Sequence, residues 1–157
     1  MRWIRKLVHG TAACLVTLGI WLTWLTGNAL FWRSPRPRAA WRRSMFRLWG
    51  RSILRAVGAE LTVVGAPPAA PGMLVANHLS YLDVPVLAAC LPPVFVSKAE
   101  VRHWPAIGRM SRAMGTVFVQ RERKRELPAI NRAIAATLAQ GDSIAVFPEG
   151  TSTNGSR

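Results

Sequence analysis

The stretch Met73-Leu74-Val75-Ala76-Asn77-His78-Leu79-Ser80-Tyr81-Leu82-Asp83, continued by Val84–Leu91, decides the fold. An apolar run of strand length leads into a polar turn, and the turn leads into an apolar run of helical length. Strand, turn and helix in that order form the repeating unit of a parallel α/β sheet. Four further runs have the length and apolarity of buried strands: Leu61–Val64, Val94–Val96, Thr116–Val119 and Ile144–Phe147. Helical stretches separate several of them. One covers Ala99–Met114 and is interrupted near Pro105. Another covers Leu127–Gln140, with Leu127, Ile130, Ile134 and Leu138 on one face and Gly141 as its stop. Residues 58–157 are therefore expected to form an α/β domain with a mainly parallel sheet and flanking helices. No internal repeat interrupts this reading.

The residues before Gly58 have a different character. The whole chain has 157 residues, with 21 Lys+Arg against 7 Asp+Glu and a formal net charge of +14. The first carboxylate is Glu60, so the basic excess lies mainly in the N-terminal third, which is also the most apolar part. A chain half hydrophobic is neither a disordered acidic tail nor a collagen. Its two cysteines, Cys14 and Cys90, build neither a disulfide framework nor a zinc site.

Leu7–Trp32 contains no Asp, Glu, Lys or Arg. That is long enough to cross a bilayer, which needs ~20 apolar residues. Trp3, Trp21, Trp24 and Trp32 sit within and beside it, as interfacial aromatics do. A secretory signal peptide is the competing reading, but the run is long for its apolar core and no small-residue cleavage site follows. Basic density is greater after the run than before it, so a spanning helix would place the rest of the chain in the cytoplasm. An in-plane helix bent at Gly19 and Gly27 is the alternative.

Ser34-Pro35-Arg36-Pro37-Arg38 reads as a helix-breaking linker. Trp41–Val57 then reads as a basic amphipathic helix. Arg43, Arg47, Arg51 and Arg55 recur on one side, and Trp41, Met45, Leu48, Trp49 and Ile53 on the other; Arg42 and Leu54 break the pattern. Such a helix either lies on anionic headgroups or packs its apolar face on the following domain. Residues 1–57 are thus expected to form a membrane anchor with a basic helix.

Several strand ends carry reactive groups. His78 follows the strand Met73–Ala76, at the sheet edge where open α/β folds place ligands. With His78 in the turn and Asp83 in the first helical turn, the carboxylate could hold one ring nitrogen and leave the other as a general base. The plainer reading is a capping box, Ser80-x-x-Asp83, beside an ordinary turn histidine. Arg121 closes the strand Gly115–Gln120 and could present its planar fork to a phosphate, whereas Arg123, Lys124 and Arg125 read as a solvated charge run. Lys98 follows another strand end as a second candidate cation. Phe147-Pro148-Glu149-Gly150-Thr151 ends the last strand in a turn with a carboxylate, a glycine and a hydroxyl.

Taken in order, His-x4-Asp, Gly-x-x-Phe-Val-x-Arg and Phe-Pro-Glu-Gly-Thr resemble three of the four sequence blocks of the glycerolipid acyltransferase family (1-acylglycerol-3-phosphate acyltransferase-like). The resemblance covers about residues 58–157. It implies that His78 is the general base taking the proton from the free hydroxyl of a lysolipid, with Asp83 orienting it. The lipid oxygen would attack the thioester of an acyl-CoA or acyl-carrier-protein co-substrate directly, with no other cofactor, no metal and no Ser or Cys nucleophile. Arg121 would bind the acceptor's phosphate, Glu149, Gly150 and Thr151 would shape its site, and Lys98 would assist with anionic groups. The membrane bilayer is the implied partner, since the acceptor stays within it.

Two departures qualify the resemblance. Many relatives follow Glu-Gly-Thr with arginine, but here Ser152-Thr153-Asn154 follows, with Arg157 as a possible substitute. That makes a lyso-ornithine lipid an alternative to lysophosphatidate. The fourth block and later strands are also missing after Arg157, so an incomplete sheet is expected, and with it the alternative of an inactive fragment that only binds lipid surfaces. A nucleic-acid binder is set aside, because most arginines lie beside the apolar segment and no groove-reading motif occurs.

Overall fold

The computed structural model describes residues 2–120, 125 and 127–148. The chain divides into two compact units. One comprises residues up to Ala66 together with Leu82–Pro92; the other comprises Pro67–Tyr81 together with the residues from Pro93 on.

The first unit is helical. Helix α1 runs Arg2–Leu30, α2 Pro35–Val57 and α3 Asp83–Cys90. The Ser34–Arg38 segment is not a linker, because α2 begins at Pro35. The first four N–H groups of a helix have no intrahelical acceptor, so Pro35 and Pro37 sacrifice nothing in the first turn. Gly58 ends α2 at φ 71°, in the left-handed region that favours glycine. The Gly58 N–H donates to the Arg55 carbonyl and the Ala59 N–H to the Leu54 carbonyl, at 3.1 and 2.8 Å, which completes a Schellman cap.

α2 runs antiparallel along α1, and four hydrogen bonds fix the register. Arg38 Nε donates to Asn28 Oδ1 at 2.7 Å, Trp41 Nε1 to the Trp24 carbonyl at 3.3 Å, and Trp49 Nε1 to Thr17 Oγ1 at 3.1 Å. His9 Nδ1 donates to the Ala56 carbonyl near the far end. Gly27 lets the Trp41 indole lie against the α1 backbone; a Cβ there would overlap the ring. On α2 the buried residues are Met45, Phe46, Gly50, Ile53 and Leu54. Leu54 is 4% exposed and Leu48 44% exposed, the reverse of the sequence expectation. The cause is α3, which packs Pro85, Ala88 and Ala89 against the Gly50 side of α2.

The second unit holds a four-stranded, wholly parallel sheet. Its strands are β1 Met73–Val75, β2 Val94–Lys98, β3 Val117–Val119 and β4 Ile144–Val146, in the order β1-β4-β2-β3. Met73 and Val94 both pair with Ile144, so β4 lies between β1 and β2. A 3-10 turn over Ala99–His103 and helix α4 Ile107–Ala113 connect β2 to β3; helix α5 Leu127–Ala139 precedes β4. Val94, Phe95, Ile144, Ala145 and Phe147 are buried and centre the core on β2 and β4, as expected of near-continuous apolar strands in a parallel sheet.

The run Leu61–Val64 is not a strand. No ladder partner faces it among the described residues, and Val64 is 94% exposed. Apolarity alone does not make a strand when its N–H and C=O groups find no neighbouring strand.

Candidate active site

In a parallel sheet every strand ends on the same edge. β1 and β4 are neighbours in register, so the loop after β1 and the residue after β4 emerge side by side. The Ala76 N–H still donates to the Val146 carbonyl at 3.2 Å, which carries the pairing one step beyond β1. His78 follows in that loop and Phe147 follows β4. Their rings stack with centroids 4.3 Å apart and planes 20° apart. Phe147 in turn stacks on Phe95 of β2 at 5.9 Å and 19°. Phe147 is 9% exposed, so a buried aromatic column across three strands supports the half-buried imidazole.

The column fixes the ring plane of His78. Stacking engages the faces of the imidazole, while its two nitrogens lie in the ring plane at the edge. An imidazole held this way is suited to moving a proton along one direction.

Lys98 is the last residue of β2, on the same edge, and is exposed. Its backbone pairs with Val119, the last residue of β3. Arg121, Glu149, Gly150 and Thr151 lie outside the described residues.

Asp83 belongs to the helical unit, where it is the first residue of α3. The residue before α3 is Leu82, whose φ and ψ of −74° and −16° are already helical and whose side chain makes no cap. The Val86 N–H donates to the Leu82 carbonyl at 3.0 Å, which makes it the first regular bond of α3 among those described. As a first-turn carboxylate, Asp83 sits where the unpaired N–H groups of a helix favour negative charge.

Sequence reasoning missed the role of Phe147. Its signal was available, since an aromatic residue directly precedes Pro148-Glu149-Gly150. The partner across the sheet was not, because it depends on β4 inserting beside β1.

Comparison with known proteins places these features in context. The protein-family model described as Acyltransferase matches residues 60–157. A lyso-ornithine lipid O-acyltransferase of Pseudomonas aeruginosa is 40% identical over 114 residues, covering 73% of this chain and 44% of that protein. A 1-acyl-sn-glycerol-3-phosphate acyltransferase of Neisseria meningitidis is 36% identical over 143 residues, covering 90% and 55%. A lyso-ornithine lipid O-acyltransferase of Rhizobium meliloti is 32% identical over 158 residues, covering 100% and 52%. The chain thus spans about half the length of these relatives. The crystal structure of the 1-acyl-sn-glycerophosphate (LPA) acyltransferase PlsC of Thermotoga maritima matches 98% of this chain and 64% of that one, with a TM-score of 0.74 and 24% identity. That likeness is one of fold.

Proposed function

This chain belongs to the acyltransferase family, whose pattern covers its residues 60–157, and on that premise we propose that it transfers an acyl chain to the free hydroxyl of a lysolipid. One observation carries the reading: the His78 imidazole rests on Phe147, so the first residues of the His-x4-Asp and Phe-Pro-Glu-Gly blocks meet at one sheet edge. His78 is the general base that removes the hydroxyl proton. Asp83, five residues on at the start of α3, orients the imidazole. The lipid oxygen attacks the thioester carbonyl of an acyl-CoA or acyl-carrier-protein donor, the thiolate leaves, and the proton held on His78 goes to it. Arg121 and Lys98 bind anionic groups of the substrates, and Glu149, Gly150 and Thr151 shape the acceptor site. Base catalysis of this kind contributes ~10²–10⁴-fold.

Lysophosphatidate is the first acceptor to test. A lyso-ornithine lipid is the second reading, favoured by Ser152 where many relatives carry arginine and by the relatives bearing that name.

The helical hairpin supports the way such an enzyme reaches its substrate. α1 is long and apolar enough to cross a membrane. Leu7, Leu15, Leu18, Leu22 and Leu25 form an exposed stripe along it. Yet α2 accompanies α1 along most of its length and carries exposed Arg47 and Arg51 beside the middle of the hairpin. A transverse α1 would draw them into hydrocarbon, at ~2.5–3.5 kcal/mol for each arginine near the centre. On this reading the hairpin lies in the membrane interface, with leucines in acyl chains and arginines among anionic headgroups.

The test is transfer by detergent-solubilised protein to lysophosphatidate and to lyso-ornithine lipid, compared with His78→Ala. Loss of at least a hundredfold in the variant, with vesicle binding retained, supports the proposal. Equal rates in the two proteins overturn it.

A further inference from the structure

The connection between β2 and β3 builds a pocket that the proposed catalytic chemistry does not use. Its volume is about 350 Å³, and Arg102, His103, Trp104, Arg109 and Arg112 are among its lining residues. No Asp or Glu occurs between Glu100 and Glu122, so the lining has three guanidinium groups and no carboxylate to offset them.

The cluster is held in place by the backbone. A Cβ on Gly108 would lie 2.3 Å from the Arg102 carbonyl oxygen, so only glycine lets α4 approach the 3-10 turn this closely. Arg112 Nη1 donates to that same Arg102 carbonyl at 2.8 Å, which brings two arginines of like charge onto one turn. The Gly108 N–H donates to the Trp104 carbonyl at 3.0 Å and fixes the residue that carries the indole. Trp104 is 48% exposed and offers an aromatic surface at the pocket.

Arg102, Arg109 and Arg112 are all exposed, so an anion in the pocket can reach their guanidinium groups. Guanidinium forks suit phosphate oxygens, and an exposed indole suits a planar heterocycle. The volume falls within the range of small-molecule sites, ~300–1,000 Å³. The turn that carries Arg102 begins directly after Lys98, the last residue of β2.

We propose that the Arg102–Trp104–Arg109–Arg112 pocket binds the phosphorylated nucleotide end of a coenzyme A thioester, with phosphates on the guanidinium groups and the adenine against Trp104. This rests on the acyl-transfer reading and specifies its donor. Coenzyme A is the occupant that matches the lining, since its phosphates suit the guanidinium groups and its adenine suits the indole.

The test is calorimetric titration of the detergent-solubilised protein with coenzyme A and with pantetheine, which lacks the nucleotide. The proteins are wild type, Arg102→Ala/Arg109→Ala and Trp104→Ala, each checked for an unchanged melting temperature. Arg109→Glu replaces the double variant if that one melts early. The expected result is that wild type binds coenzyme A at least tenfold more tightly than pantetheine and that the variants lose this preference. A preference equal in all proteins overturns the proposal. So does unchanged coenzyme A affinity combined with weakened binding of the variants to phosphatidylglycerol vesicles, which would assign the pocket to lipid headgroups. If no lysolipid is acylated by wild type, the transfer reading fails, while the coenzyme A preference still decides the pocket.

Discussion

Replacing Phe147 by leucine separates support of the His78 ring from the chemistry of that ring. Leucine keeps an apolar side chain in a site where Phe147 is 9% exposed, so the hydrophobic contribution is largely retained. What goes is the stack on His78 at 4.3 Å and the stack on Phe95 at 5.9 Å. Each aromatic pair contributes ~0.5–1.5 kcal/mol beyond its buried area, so the expected loss of stability is about 1–3 kcal/mol. The part borne by His78 also measures how firmly the imidazole is oriented. Losing ~0.5–1.5 kcal/mol of orientation slows transfer about two- to tenfold at saturating lysolipid. Denaturant unfolding and initial rates on purified protein read the two effects. A cycle with His78→Ala isolates the pair: Phe147→Leu should cost ~0.5–1.5 kcal/mol less stability when the imidazole is already gone. Zero coupling, together with a rate within error of wild type, would refute the positioning role of Phe147.

Other expectations concern the helical hairpin. Gly50→Ala places a Cβ 2.5 Å from the Pro85 carbonyl oxygen and 2.6 Å from the Ala89 amide nitrogen. Both are backbone atoms, so a loss of ~1–3 kcal/mol or more in denaturant unfolding is expected. Gly19→Ala meets nothing within 4 Å in the middle of α1 and should leave stability unchanged or raise it by up to ~1 kcal/mol. Removing Arg47, Arg51 and Arg55 together should weaken binding to anionic vesicles by ~1 kcal/mol per charge, and the difference should shrink at high salt. Binding unaffected by the triple change would sink the interfacial placement of α2.

Much of the second unit could be read along the chain. Strands β1 to β4 and helix α5 appear where short apolar runs and helical periodicity indicate them; β2 and β4 leave the plainest trace because they form the buried centre of a parallel sheet. The errors arise where a neighbour decides. Leu61–Val64 has strand composition but finds no facing strand among the described residues. Pro35 and Pro37 break helices in general but open this one, because the first turn asks for no N–H. Leu54 is buried in place of Leu48 because α3 packs against Gly50, a contact between segments far apart in sequence. The pairing of His78 with Phe147 was hidden for the same reason. So was the arginine pocket, where the clue was a long interval without acid that only a turn at Pro105 folds upon itself.

The order β1-β4-β2-β3 also sets a schedule for biosynthesis. β2 and β3 can pair as soon as both have left the ribosome, but β1 waits for a partner made about 70 residues later, Ile144–Val146. Such long loop closure is slow. Until β4 arrives, Met73–Val75 lacks its Ile144–Val146 partner and His78 lacks the Phe147 ring, so a nascent chain cannot form this stack before β4 has been translated. Folding helpers that act on this protein would therefore be needed late, and synonymous codons that slow translation after Val146 would have more effect on yield than those before it.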